Sequence, residues 1–274
     1  MSSSPLLSPG DAVAPAIAWL NAHAHGLFQA ISFGIETVLG AIEACLLALP
    51  ATAMAALIIA LVFWRQGSRM ATLSALCMAV AGLSGLWTET METVALVTLA
   101  VTISVAIAFP LGVLAARRPL LEAALRPTLD LMQTVPPWVY LIPAVMIFSL
   151  GKVPALLATV IYGIPPMLRL TILAFRQVPS ELVELGAASG ATTFQTLTKI
   201  EIPAARKTLL LGLNQCILLS LAMVVLAGLV GAGGLGAEVT RGLTRMEMGL
   251  GLRSGLSIVA VAIFLDRVTR RALG

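Results

Sequence analysis

The chain has 274 residues, 59% of them hydrophobic and 11% charged, with a mean hydropathy of +0.99. A water-soluble domain carries about 25% charged residues, so this composition excludes a soluble globular protein and requires an integral membrane protein. The formal charge of +4 comes from basic residues placed between apolar runs, which marks membrane topology and excludes a nucleic-acid-binding patch.

Residues 1–45 read as an external N-terminal tail. Met1–Gly10 is rich in Ser and Pro and is expected to be disordered. No basic segment precedes an apolar run, so no signal peptide is expected. From Ala14 to Leu39, apolar residues alternate with Asn21, His23, His25, Gln29 and Glu36. That pattern predicts one or two amphipathic helices lying on the outer membrane surface. His23-x-His25 lacks a third metal ligand nearby, and no metal site is expected.

Crossing a bilayer takes about 20 apolar residues at 1.5 Å each. Seven stretches qualify: Leu46–Trp64, Met70–Trp87, Thr93–Ala115, Leu129–Leu150, Val153–Phe175, Thr208–Val230 and Gly249–Leu265. The first two occupy residues 46–87. With the polar segment around Glu184 inside, thirteen Lys and Arg residues fall inside and only Lys152, Arg241, Arg245 and Arg253 outside. This bias predicts an external N-terminus and a cytoplasmic C-terminus. Cys45, Cys77 and Cys216 fall in or beside apolar runs without paired spacing and read as small buried residues.

The polar interruption ELGAASGATTFQTLTKIEIP, from Glu184 to Pro203, has the pattern of a helix–turn–helix docking surface. Glu181–Ser189 is composed of helix formers. Gly190 can adopt a positive φ and stop that helix. Thr192 or Thr193 can cap a second short helix through Ile200, with Pro203 at its end.

Pro110, Pro136-Pro137, Pro143 and Pro165-Pro166 fall within apolar spans, where proline removes a backbone hydrogen bond and kinks or breaks a helix. Carbonyls freed in this way are tolerated in lipid only when buried in protein or lining a cavity. Gln133-Thr134 and Asn214-Gln215 add side-chain polarity to two spans, either for helix–helix hydrogen bonds or for a solute route. Trp138 and Tyr140 could present π faces to a passing cation or serve packing.

Gly231-Ala-Gly-Gly-Leu-Gly236 matches G-x-G-x-x-G but follows a membrane span. It therefore reads as a turn for close backbone packing rather than a dinucleotide site. There is no G-x-x-x-x-G-K-[ST] and no Ser/His/Asp set, so no catalytic residue is assigned. Asp130 and Asp266 sit at span ends, which leaves few intramembrane acids for proton relay. Active transport by this chain would thus draw its energy from another chain.

Glu184-x5-Gly190-x9-Ile200-x-Ile202-Pro203 resembles the EAA loop of permease subunits in type I ATP-binding-cassette importers. The chain reads Glu184-Leu185-Gly186 where that loop usually has Glu-Ala-Ala. From about Thr88 to Thr269 the likeness narrows to the glycine betaine/proline permease subunit. It is carried by Asp130–Pro136, Val139–Pro143, Pro165–Ile172, Gln177–Pro179, Gly212–Gln215, Met223–Val225, Gly233–Gly236, Met248–Leu250 and Leu265–Arg267.

The resemblance implies an all-α type I importer fold over residues 88–270, with a coupling loop at 179–205. Glu184, Gly186, Gly190, Ile200 and Pro203 would be its coupling residues. Gln133, Thr134, Trp138, Tyr140, Asn214 and Gln215 would be candidates for the translocation path. The implied partners are a second copy of the chain, two cytoplasmic ATPase subunits that hold ATP and Mg, an external binding protein and the lipid bilayer. The implied location is the bacterial inner membrane, and the implied cargo is glycine betaine, choline, carnitine or proline. An amino-acid permease, or a stand-alone channel or ion-coupled carrier, is the alternative.

Overall fold

A chain in lipid must satisfy its backbone polar groups internally, and runs of Leu, Ala and Val do so as helices. In the computed structural model, which describes residues 9–273, every regular element among the described residues is helical. The helices are α1 (Pro9–Leu47), α2 (Ala51–Gln66), α3 (Ser68–Leu83), α4 (Trp87–Arg117), α5 (Pro119–Thr134) and α6 (Leu141–Phe148). They continue with α7 (Lys152–Arg176), α8 (Ser180–Ala188), α9 (Thr193–Thr196), α10 (Ile202–Ala227), α11 (Gly234–Thr244) and α12 (Met248–Leu273). Short 3₁₀ turns at Pro137–Tyr140 and Gly228–Val230 and a π turn at Leu197–Glu201 complete the path.

The core is α7 held between α4 and α10. Small residues make this possible, because lipid supplies no hydrophobic drive between helices and close packing must do the work. Gly163 of α7 faces Ser104 of α4 and both Cys216 and Ser220 of α10. A Cβ added there would lie 3.0 Å from the first two. Gly112 meets Thr171 even more closely, and Ser104 Oγ donates across the interface to the Val160 carbonyl at 3.1 Å.

The breaks follow local chemistry. Val135 is extended (ψ 128) before Pro136, as a residue preceding proline prefers, and the chain turns by 106° between α5 and the segment Pro137–Phe148. Pro110, Pro143, Pro165 and Pro166 lie within helices that continue past them, so of the two expected outcomes, a kink or a break, none of these prolines produces a break.

The span inventory differs from the seven expected. His23–Leu47, Trp87–Arg117, Lys152–Arg176, Thr193–Val230 and Met248–Arg271 are long and apolar enough to cross, and the bent α5–α6 pair would make a sixth. The expected Leu46–Trp64 is cut at Ala48–Pro50, and Met70–Trp87 ends at Ser84–Gly85, where Gly85 has φ +72. The 16-residue helices α2 and α3 cover about 24 Å each, short of the roughly 30 Å hydrocarbon core. Gly67, with φ +85, joins them as a hairpin.

The described N-terminal segment, Pro9–Leu47, is helical with a kink at Ala24, two helical stretches that extend beyond both ends of the expected Ala14–Leu39. Pro9 and Gly10 already begin it, while the expectation of disorder for residues 1–8 lies outside the described residues. Phe28 and Glu43 are about 22 Å apart along this helix. Phe28 packs edge-on against Phe148, and both Glu43 carboxylate oxygens accept from Lys152 Nζ, at 2.7 and 2.8 Å. Two well-separated turns of α1 therefore meet the same end of the bundle, here termed the Lys152 end. Cys45, expected to be buried, is exposed on this helix, whereas Cys77 and Cys216 are buried.

At that end, Glu92 accepts from the Gly234 N–H at 2.8 Å and lies 3.8 Å from Lys152 Nζ. A carboxylate at the N-terminus of α11 satisfies an orphan donor and complements the helix dipole. The glycine-rich stretch is the expected close-packing turn. Gly231, Gly233 and Gly234 have positive φ, and Gly236 presses its backbone onto that of Val224.

The inside–outside assignment makes a direct prediction. In a cysteine-free background, Thr88→Cys at the Lys152 end should react with an impermeant maleimide added outside. Thr193→Cys should react only after the membrane is opened. Labelling of both from one face would overturn the topology.

Candidate functional site: the coupling loop and the solute path

The segment after α7 is built by turn chemistry. Gly190 has φ +75 and closes α8, with its N–H donating to Ala187 O and the Ala191 N–H reaching back to Gly186 O. This pair of bonds is a Schellman ending, which favours glycine in the left-handed position. Thr192, not Thr193, then caps α9. Its Oγ1 accepts from the Gln195 N–H at 3.3 Å, and Gln195 Oε1 accepts from the Thr192 N–H at 2.9 Å. The reciprocal capping box explains the sharp restart.

Pro203 does not end the second helix as expected. Thr193–Val230 is one continuous helical path, and the π turn at Leu197–Glu201 leads directly into α10. In that turn the Ile202 N–H reaches Leu197 O. Pro203 is the second residue of α10, directly after the π turn, and the helical path continues through it.

Gly186 and Ile200 are in contact. A methyl group on Gly186 would stand 2.6 Å from Ile200 Cδ1, so α8 folds directly onto the π turn. The atom met is the flexible end of the Ile200 side chain, and the next contacts, to Thr196, are 3.5 Å or more away. Glu184 is exposed and makes no hydrogen bond or ion pair among the described residues. Beside it the loop exposes Leu182, Leu185 (63% exposed) and Phe194 (72% exposed).

Ion pairs tie each end of this loop to a different helix pair. On the C-terminal side, Glu201 pairs with Arg117 at 2.5 Å, joining the π turn to α4. On the N-terminal side, Arg176 at the end of α7 pairs with the buried Glu122 of α5, which also accepts from Arg126 at 2.8 Å. Arg169 of α7 further pairs with Asp130 of α5. The loop is thus tied to α4 and α10 through one anchor and to α5 and α7 through the others.

These ion pairs were not found in the sequence, because partners such as Arg117 and Glu201 are 84 positions apart and only the fold brings them together. The capping box, by contrast, is written locally as Thr192-x-x-Gln195.

The proposed path residues form two groups rather than one. Gln133, Thr134 and Trp138 (58% exposed) lie exposed around the α5–α6 bend, with the Thr134 hydroxyl donating to Leu131 O. Tyr140 is half-buried and its hydroxyl donates to Met132 O at 2.7 Å, bracing the bend. On α10, Gln215 is exposed. Asn214 is 2% exposed, with neither amide atom hydrogen-bonded. No hydrogen bond or ring contact joins the two groups among the described residues.

His23 Nδ1 lies 2.8 Å from Trp19 O and His25 meets Gln29, and no metal-binding cluster occurs among the described residues.

A family described as "Binding-protein-dependent transport system inner membrane component" matches residues 108–269. The chain belongs to this family. It is therefore a multi-pass inner-membrane permease, a transport subunit rather than a stand-alone channel. Among relatives, this permease is 39% identical over 259 residues to the glycine betaine/proline betaine transport system permease protein ProW of Escherichia coli (strain K12), covering 94% of this chain and 73% of ProW. It is 37% identical over 270 residues to the glycine betaine transport system permease protein OpuAB of Bacillus subtilis (strain 168), covering 98% and 96%. Among solved structures, the permease fold resembles a chain of the inward-facing MetNI methionine ABC transporter, with TM-score 0.55 and 25% identity over 68% of this chain and 95% of that one.

Proposed function

We propose that this permease is the membrane half of an ATP-driven importer of glycine betaine and related compatible solutes. Two copies would enclose the pathway, and two cytoplasmic ATPase subunits, holding ATP and Mg, would drive it. An external binding protein would deliver the cargo. The observation that carries this reading is the near full-length similarity to two glycine betaine permeases. The built coupling loop supports it.

Leu182 and Leu185 share one face of α8 and, like Phe194 of α9, are exposed among the described residues, with Glu181 and Glu184 beside the leucines. An ATPase groove that accepts this face could move the loop as a unit, because Gly186 rests on Ile200 and Glu201 is tied to α4. ATPase closure would then become rigid-body motion of membrane helices.

A quaternary ammonium ion donates no hydrogen bonds and suits aromatic faces with weak polar surroundings. Trp138 at the α5–α6 bend offers such a face, with Gln133 and Thr134 beside it. Passage requires weak binding, so high affinity would reside in the binding protein.

The test is uptake by the complex reconstituted with its ATPase and binding protein, using labelled glycine betaine, choline, carnitine, proline, histidine and methionine. Glycine betaine should be taken up in an ATP-dependent manner. Transport of an amino acid alone would overturn the cargo assignment. Trp138→Ala and Asn214→Ala should lower the maximal rate severalfold while the half-saturating concentration stays nearly constant. A large rise in that concentration would place a specificity site in the permease.

A further inference from the structure

At the end of the bundle opposite Lys152, a hollow of about 440 Å³ opens between α3, α10 and α12. Its deep wall is apolar, formed by Leu73, Leu218 and Ile263, and its rim carries Arg69, Arg267 and Arg270. One carboxylate shares the rim. Asp266 accepts from Arg270 Nε at 2.8 Å and lies 3.9 Å from Arg267 Nε. Arg69 has no acidic partner among the described residues, so three guanidinium groups face one carboxylate. A second hollow beside it adds Arg65 and Arg271.

We infer that this hollow holds an anionic phospholipid, with its phosphate among Arg69, Arg267 and Arg270 and the start of an acyl chain against Leu73, Leu218 and Ile263. Guanidinium groups match phosphate oxygens in paired hydrogen bonds, and basic pockets between membrane helices favour anionic headgroups. The rim-to-wall distance suits a lipid rather than a free anion. Ile263 lies two turns above Arg270, about 10 Å deeper along α12, so a bound molecule needs a charged head and a hydrocarbon tail. Its place in the fold also gives it work. The α2–α3 hairpin meets α12 here, with the Gln66 Nε2–H donating to Val268 O at 3.0 Å. A lipid in the hollow would fasten α3 to α12 and α10.

The test is native mass spectrometry of the full chain, delipidated in a neutral detergent and titrated with phosphatidylglycerol, phosphatidylcholine or glycerol phosphate. The expected result is one phosphatidylglycerol retained per chain, at least about tenfold tighter than phosphatidylcholine, with no retention of glycerol phosphate.

The combined Arg69→Gln, Arg267→Gln, Arg270→Gln variant should lose that preference. Ala262 of α12 also lines the hollow, so Ala262→Trp fills its apolar wall and leaves every charge in place, and it should weaken retention on its own. Arg206→Gln with Lys207→Gln, outside the hollow, should retain the lipid. Equal loss in this control would reduce the effect to general charge attraction and overturn the site. So would tight binding of glycerol phosphate, or unchanged lipid retention in Ala262→Trp.

Discussion

Gly236→Ala should abolish accumulation of the folded permease. A Cβ at this position would stand 2.1 Å from the carbonyl oxygen of Val224, 3.0 Å from its carbon and 3.2 Å from Val225 Cα. All three are backbone atoms, so no side-chain rotation relieves the clash. The reverse contact is as close, since a Cβ on Gly228 would lie 2.2 Å from Gly236 O. Separating α10 from α11 would also pull on the Gly234 N–H bond to Glu92. Overpacking a core costs about 1–3 kcal/mol when side chains can yield, and here only helices can. The measurement is the monodisperse fraction in detergent and its melting temperature. Gly249→Ala, where nothing lies within 4 Å of the new methyl group, should behave as wild type. A Gly236→Ala variant with normal yield and melting would show that α10 and α11 do not cross at this distance.

Gly190→Val should leave the permease inserted and folded yet lower uptake and binding-protein-stimulated ATP hydrolysis more than tenfold. Nothing lies within 4 Å of a Cβ added at Gly190, so the substitution meets no clash. Its whole effect comes from the backbone, since φ +75 is strongly disfavoured for a β-branched residue. The Schellman bonds to Ala187 and Gly186 would loosen, and α8 would lose its fixed angle to α9. Gly190→Asn should recover much of the activity, because asparagine tolerates the left-handed region. If valine couples as well as glycine, the loop does not transmit the stroke. If asparagine fails alongside valine, the presence of any side chain at this position, rather than φ, disturbs the docking face.

Much of this structure was legible in local sequence. The spans at Thr93–Ala115, Val153–Phe175 and Gly249–Leu265 lie inside observed helices and Thr208–Val230 inside the helical path Thr193–Val230, because long apolar runs have one solution in lipid, even through Pro110, Pro165 and Pro166. Gly190 was equally plain, since a glycine between two helix-forming stretches marks a stop. Less visible were the features set by neighbours. The continuity through Pro203 depends on a π turn, which no periodicity announces. The helical character of Ala14–Leu39 was legible, but its extension to residues 9–47 was not, since His23, His25 and Gln29, which find partners at Trp19 and one another, break the apolar pattern. Asn214 and Gln215 are adjacent in sequence but about 100° apart around α10, so one is enclosed and the other exposed.

The π turn at Leu197–Glu201 also gives this helix one place where its length can change. A π turn accommodates one residue more than the corresponding α turn, so the extra residue is absorbed within the turn and the side chains on either side stay nearly in phase. Deleting a single residue between Leu197 and Glu201 would tighten the turn to ordinary winding and leave Leu182, Leu185 and Phe194 aimed much as before. The same deletion in the ordinarily wound stretch Arg206–Leu210 would swing everything before it by about 100°, with every apolar side chain of the loop still present. The deletion at the π turn should therefore be better tolerated than the one a turn further along α10.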